Sequence, residues 1–378
     1  MLNRGLAYAA QGRQALAETS YRGALARHPN YPEAHNNLGL ALELQGDLTQ
    51  AMMHFDRALD LAPEFANAHS NRAQLRLLIG DFAQGWEEYE WRWRLPGIAL
   101  PPIDVPQWDG TPLAGATVLL RAEQGFGDTI QFVRFAWVLQ QGGAKVVVEC
   151  QPALVALLAH APGVQAVVAR GSDLPPCDVA IPIASLPRVL GVTDIASIPA
   201  QVPYLAPAPL LVLQWRERLA SHRGFRIGIA WRGSRGHPQD CHRSIPPQCV
   251  AALAEVPGVM LINLQVGTTA PQGLPFIEPR QDYSSNATFD ETLAIVADLD
   301  LVITCDTALA HLAGASNMPV WIALALVPDW RWLLDREDSP WYPSARLFRQ
   351  TRLDDWPEVF VRIAAALSNY IRKQPVQD

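Results

Sequence analysis

Long apolar runs, paired cysteines and excess positive charge are all missing from this chain of 378 residues. No stretch of about 18 or more apolar residues occurs, so no transmembrane helix is expected. The opening residues, MLNRGLAYAAQGRQ, carry no apolar core of the kind a signal peptide needs. Cys150, Cys177, Cys241, Cys249 and Cys305 are odd in number, scattered and free of any C-x-x-C pair. Such a set is expected to be reduced thiols in a cytoplasmic protein, not a disulfide framework or a zinc site. Charged residues amount to only 18%, with a formal net charge of −7. That balance argues against broad binding to nucleic acid or to an anionic membrane. Hydrophobic residues, at 49%, are ample for real cores and exclude a disordered chain. At roughly 150 residues per domain, two to three domains are expected.

The first ninety-odd residues repeat themselves. Gly12, Gly46 and Gly80 are spaced by 34, as are Tyr21, Phe55 and Tyr89, and Ala17, Ala51 and Gly85. Ala24 and Ala58, and Pro29 and Pro63, keep the same interval. This period resembles the tetratricopeptide repeat, a helix-turn-helix unit. Glycine fits the turn, alanine and the aromatic let two helices interlock, and proline stops the second helix. Helix pairs are expected over Met1–Arg27, Tyr31–Leu61 and Phe65–Arg94, with Met1 already inside a helix, so the array reads as open at its start. Asn3, Asn37 and Asn71 recur at the same interval on the first helix of each pair. A ladder of carboxamides there resembles that of the protein O-GlcNAc transferases, and Asn37 and Asn71 are candidate contacts to an extended acceptor. The alternative is that these side chains bond neighbouring helices.

A joint rich in proline follows, with Pro96, Pro101, Pro102, Pro106 and Pro112 inside residues 95–116. It reads as an extended, stiff connection. Trp91, Trp93 and Trp108 are expected to pin the array to the next domain or to close the last repeat. Beyond it, strand and helix alternate. Strands are expected at Thr117–Arg121, Lys145–Glu149, Val164–Ala169, Asp178–Ile181, Arg226–Trp231, Val259–Leu264, Leu301–Thr304 and Pro319–Leu324. A helix after residue 128 would bury Ile130, Val133 and Trp137; others would span Leu211–Ala220 and include Ile363–Tyr370. The alternation implies two parallel-sheet halves, at 117–205 and 225–350, around a hinge at 206–224, with a last helix in 351–378.

Three segments carry candidate chemistry. Gln124–Asp128 (QGFGD) leaves a strand and opens a helix; Gly125 and Gly127 permit close backbone approach. Its helix-start N–H groups suit an anion or a polar ligand. Asp128 is placed as a cleft carboxylate or as a helix cap. Asp306–Gly314 follows the strand LVIT; Asp306 or Thr307 would cap its helix, and the N–H groups around Ala308 and Leu309 would face a diphosphate. His311 there is a candidate ligand contact or a core histidine bonded to a carbonyl. In Trp231–Pro246, Arg232, Arg235 and Arg243 are candidate phosphate forks. His237, Asp240, Cys241 and His242 match no standard zinc spacing. Asp298 and Asp300 form a D-x-D triplet, read as a helix end and strand entry. Trp330, Trp332, Trp341 and Tyr342 are expected to pack the terminal helix against the lobes, or to stack on a base.

In motif order, G-x-G-D, then an Arg/Ser-rich loop, then D-T-x-x-x-H-L-A-G resembles the heptosyltransferase-like branch of the GT-B glycosyltransferases. The phrases YEWRW, WDG, AEQGFGDTIQFVR, HRSIP, DTALAHLAG and PDWRWLLDREDSPWYP resemble a bacterial family of repeat-fused, O-GlcNAc-transferase-like proteins. The resemblance implies an α plus α/β chain: tetratricopeptide repeats over 1–94, then a two-lobed GT-B fold of two Rossmann-like domains. It implies Asp128 as general base. It places donor sugar and diphosphate on Asp306, Thr307, Ala308 and Leu309, with Arg243 meeting the leaving group; Gly125, Gly127, Arg232 and His311 join the expected donor set. Ala308 and Arg243 depart from the Gly and Lys common in heptosyltransferases. The expected activity is inverting, metal-independent transfer from a nucleotide-diphosphate sugar, without other cofactor, to a protein, peptide or glycan held by the repeats. A nucleotide-sugar epimerase and a non-catalytic scaffold with a decayed sugar-nucleotide domain are the alternatives.

Overall fold

The computed structural model describes residues 1–373, apart from Arg235, His237, Pro238, Gln239, Asp282 and the side chain of Ser284. Arg235 and His237 of the Arg-rich loop therefore lie outside the described residues. Six antiparallel helices come first: α1 (Leu2–Ala10), α2 (Gln14–Leu25), α3 (Pro32–Leu44), α4 (Leu48–Leu61), α5 (Ala66–Leu78) and α6 (Phe82–Tyr89). Gly46 sits in the α3–α4 turn at φ +86°, left-handed backbone that a side chain would strain. Within a pair the approach is close. A Cβ on Gly39 would lie 2.6 Å from the Phe55 ring, which is why a glycine faces the repeating aromatic.

Two all-parallel sheets follow. The first has the order β3-β2-β1-β4, with β1 at Thr117–Arg121, β2 at Lys145–Cys150, β3 at Val164–Ala169 and β4 at Val179–Pro182. The second has the order β10-β9-β8-β5-β6-β7. Its strands are β5 (Phe225–Ala230), β6 (Val259–Asn263), β7 (Phe276–Ile277), β8 (Leu301–Cys305), β9 (Val320–Leu324) and β10 (Ala345–Arg349). The central β8 and β9 are buried along their whole length, the pattern of strands covered on both faces. The helix Pro209–Leu219 leads from one lobe to the other, and Trp356–Lys373 packs on a second core with Trp231, Trp321 and Phe348.

Two sequence expectations are corrected here. The helix after residue 128 is broken into α7 (Phe126–Phe132) and α8 (Phe135–Gln141). The break rotates the later face outward: Ile130 and Val133 are buried, but Trp137 is 44% exposed. The Trp330, Trp332, Trp341 and Tyr342 group does not pack the terminal helix. It fills the seam between the lobes and the array, where Trp330 meets Phe132, Trp341 and Trp86, with the Trp86 ring 5.0 Å away.

The array is fixed to both lobes. Trp86, 2% exposed, stands edge-on to Trp330 of the second lobe and to Phe132 of the first. The turn after α6 sends Arg92 to Glu90 at 2.7 Å, Glu123 at 3.0 Å and the Ser185 hydroxyl at 2.7 Å. Trp91 instead stacks on His69 at 3.6 Å and closes the last repeat, while Trp108 is buried in the shared core.

Candidate active site

The site forms where the starts of two helices meet across the lobes. Gly125 caps α7, and its N–H donates to Asp128 Oδ2 at 2.8 Å, so Asp128 does act as a capping residue. The helix Ala308–Ala315 of the second lobe packs on α7. Gly127 is the contact point. A Cβ there would sit 2.7 Å from the His311 ring, so only glycine lets the two helices touch. His311 is 4% exposed, and its Nδ1 shares a hydrogen bond of 2.8 Å with the Tyr342 hydroxyl, not with a carbonyl. Burial, reinforced by Arg331, Arg134 and Arg243, holds its pKa well below the usual histidine range, which keeps the ring neutral.

Asp128 Oδ1 accepts from Arg331, the central cation of the seam. Arg331 also donates to Gln131 Oε1 at 2.5 Å and to Asp329 Oδ1 at 2.8 Å. Burial works against its charge, but Asp329 and Asp128 outweigh that and strengthen it. Asp329 caps the short turn Trp330–Trp332, which presents Arg331 to the first lobe. Sequence reading treated this PDWRW stretch as aromatic packing and missed Arg331. Its signal was an arginine between two tryptophans, beside an aspartate able to cap.

Next to this pair, Arg243, Asp306 and Asp329 line a cavity of 20 Å³ together with His242, Val327 and Leu44. That volume is about one water molecule's room. Burial pushes the Asp306 carboxyl up to about 6; Asp329 adds to the rise and Arg243 opposes it. Arg243 lies flat on Gly233, where a Cβ would come within 2.5 Å of its Nη2. Arg232 is turned to Asp240, with Nη2 and Oδ2 3.3 Å apart. Thr307 is the N-cap, its hydroxyl accepting from the Leu309 N–H at 3.3 Å and lying 3.1 Å from the Thr304 hydroxyl. Ala308 is half-buried, and the Leu309 side chain packs inward. Leu44 belongs to α3, so the array supplies a wall of this cavity, which no motif indicated. On the other flank of Gly127, Phe126, 40% exposed, lies 5.0 Å from the Phe289 ring of the second lobe.

The remaining candidates fall elsewhere. Asn71 donates to Asn36 Oδ1 at 2.8 Å, and Asn36 in turn donates to Asn37 at 3.3 Å. A buried Asn36 thus ties the two repeats, while Asn3 is exposed. Asp298 pairs with Arg216 and Arg226, and Asp300 accepts the Arg226 N–H, at the entry end of β8 and away from the site. Among the described residues no cluster of His, Cys, Asp or Glu could hold a metal ion, and no helix is long and apolar enough to cross a membrane. Asp240 is occupied by Arg232 and Ser244, and His242 lies 3.3 Å from Asp354.

Residues 2–64 match the tetratricopeptide repeat model. The helices within that range are therefore similar to tetratricopeptide repeats, and the part of the chain behind them forms the two parallel-sheet lobes. The chain is 25% identical over 324 residues to Protein FlbA of Caulobacter vibrioides, covering 76% of this chain and 52% of that protein. It therefore spans about half the length of this curated relative. Among solved structures, a glycosyl transferase family 9 protein from Veillonella parvula has a TM-score of 0.48 at 11% identity, covering 71% of this chain and 93% of that one. The E. coli ADP-heptose lps heptosyltransferase II gives 0.48 at 14% identity, covering 68% and 99%.

Proposed function

We propose that this protein is a glycosyltransferase that moves a sugar from a nucleotide-diphosphate donor to a hydroxyl of a macromolecular acceptor. The observation carrying this reading is the convergence, in one seam, of the Asp128 carboxylate, the Arg331 guanidinium and the cavity of Arg243 and Asp306. Ligands of open parallel sheets lie beyond the carboxyl ends of strands, and β8 delivers Asp306 and Thr307 there. The diphosphate is met by Arg243 and by the start of the helix Ala308–Ala315, an electrostatic role that a divalent ion plays in other enzymes. No metal is assigned to this step.

Asp128 is the proton acceptor. The acceptor hydroxyl takes the place of Arg331 at Oδ1 and attacks the anomeric carbon. The bond to the diphosphate breaks, the nucleoside diphosphate leaves with the electron pair, and the proton passes to Asp128. A single displacement inverts the anomeric configuration. Arg331, freed from Asp128, remains beside Asp329 and balances the leaving charge. The repeats hold the acceptor, and Leu44, at the end of α3, sets the array beside the cavity.

The small cavity and the engaged carboxylate favour one competing reading, a scaffold that binds no donor. Calorimetry with a panel of nucleotide-diphosphate sugars separates the two. The proposed function predicts saturable binding of at least one donor, weakened about tenfold or more by Arg243→Ala, as expected for loss of a charge-assisted contact. No binding of any donor would establish the scaffold.

A further inference from the structure

The third repeat departs from the first two at one place. In the first pair Gly5 admits the Tyr21 ring, and in the second Gly39 admits the Phe55 ring; a Cβ at either glycine would run into the aromatic. At the corresponding place in the third pair stands Ala73, which offers no such opening, and the aromatic there is Tyr89, the last residue of α6. Tyr89 is buried, with its ring edge-on to Trp86 at 5.8 Å. Its hydroxyl leaves the array and meets the Gln124 side chain of the first lobe, 2.8 Å from Nε2 and 3.1 Å from Oε1.

Gln124 opens the QGFGD segment, and the peptide joining it to Gly125 is a rigid plane whose carbonyl and N–H point opposite ways. That carbonyl accepts from Gln151 Nε2 at 2.7 Å, and that N–H donates to Asp128 Oδ2 at 2.8 Å. Gln151 is held in turn by the Thr129 hydroxyl, which donates to its Oε1 at 3.0 Å. The array fixes the side chain of Gln124 and the lobe fixes its carbonyl, so together they orient the N–H that grips Asp128. Arg331, the other partner of this carboxylate, is the group that the acceptor hydroxyl displaces on the proposed function. Among the described residues the Gly125 N–H is then the hydrogen bond that still holds Asp128. Burial pushes the Tyr89 phenol up to about 12, with Asp128 adding to the rise and Arg92 and Arg331 opposing it. The hydroxyl therefore keeps its proton and lies within electrostatic reach of the carboxylate. We propose that Tyr89 is a positioning residue for Asp128, acting through Gln124 and the Gly125 N–H, so that the last helix of the array completes the transferase site. The inference rests on the transferase reading of Asp128.

The test compares the full-length protein with Tyr89→Phe, which keeps the ring and deletes only the hydroxyl. Turnover and calorimetric affinity are measured with ADP-, GDP-, UDP- and dTDP-linked hexoses and heptoses. The expected result is a kcat lower by about tenfold, well inside the loss that a displaced reacting group causes, with donor affinity unchanged. In an Asp128→Asn background the same substitution should slow turnover no further, because the two side chains act as one unit. A second readout needs no turnover. With glycine-selective isotope labelling, the Gly125 amide signal is identified by its disappearance in Gly125→Ala. Its exchange with solvent should be about tenfold faster in Tyr89→Phe, the effect of weakening one hydrogen bond. A Tyr89→Phe protein with the parent's kcat, or one slowed equally with and without Asp128, overturns the proposal and leaves the transferase reading standing. If the parent turns over no donor, the transferase reading falls. The exchange rate then decides alone: a faster Gly125 amide in Tyr89→Phe upholds the positioning of Asp128 by Tyr89, and an unchanged one overturns it.

Discussion

Asp306 shows what the site does to a single side chain. Its carboxyl is raised to about 6 because burial disfavours the charge and Asp329 stands close by. The folded state therefore binds the proton more tightly than the unfolded chain does. The stability this contributes is fully present below about pH 4, the range of an ordinary aspartate, and is lost as pH rises through about 6. Asp306→Asn removes the titration. The melting temperature of the variant relative to the parent should rise between pH 5 and pH 8; a difference independent of pH would show that Asp306 is ionised freely. The same side chain illustrates what could be read in advance. Asp306 and Thr307 were visible because a strand followed by D-T and a small-residue helix is a local pattern. Arg331 was not, because its partner Asp128 lies 203 residues away and only the folded chain brings them together.

At the scale of elements, α7 and the helix Ala308–Ala315 meet through Gly127 and His311, and neither can yield. His311 is held by Tyr342 and surrounded by buried aromatics, with Trp332 5.5 Å away. Gly127→Ala would drive a methyl into that ring and should lower stability by about 1–3 kcal/mol, the usual cost of overpacking. Urea denaturation checks this, and an unchanged midpoint would mean that the helix contact is not close-packed. The repeats carry a related expectation. Asn71 bonds Asn36 across the repeats, so changing Asn37 and Asn71 together to Ala should cost about 1 kcal/mol per lost bond. It should also impair use of a macromolecular acceptor while sparing donor hydrolysis in a radiolabelled-donor assay.

Strands buried on both faces were legible as short, mainly aliphatic runs, TVLLR, KVVVE and LVIT, the last two each one residue shorter than the strands that form. β7 escaped because it has only two residues, and β10 because arginines interrupt its text: Arg346 points to solvent while Leu347 and Phe348 are buried. The outward turn of Trp137 escaped for another reason. A regular helical period was extended through Val133 and Arg134, where the helix actually breaks.

At the scale of the molecule, the array is not a loosely tethered appendage. Trp86 inserts between both lobes, and Arg92 reaches Glu123, whose carboxyl burial raises to about 7 even though Arg92 opposes the rise. Trp86→Ala should cost about 3–5 kcal/mol, as truncation of a large buried aromatic does. It should also separate unfolding of the repeats from unfolding of the lobes when intrinsic fluorescence and far-ultraviolet dichroism are followed together. Coincident transitions would show that the Trp86 contact does not couple them. The proline joint and the tryptophans suggested a firm connection, but Trp86, the residue that makes it, looked in the sequence like any core position of a repeat.

This arrangement places the carboxyl-terminal end of α3 against the cavity of Arg243 and Asp306, and the cavity is too small for a donor as it stands. On the proposed function, donor binding widens this cavity, and the acceptor hydroxyl then displaces Arg331 from Asp128. The most direct measurement is turnover of a nucleotide-diphosphate sugar by the protein and by Asp128→Asn, with donor affinity measured alongside. The account predicts that the variant binds the donor with similar affinity and loses about 100-fold or more in rate, the scale of a missing general base. An Asp128→Asn protein that turns over the donor as fast as the parent would contradict it.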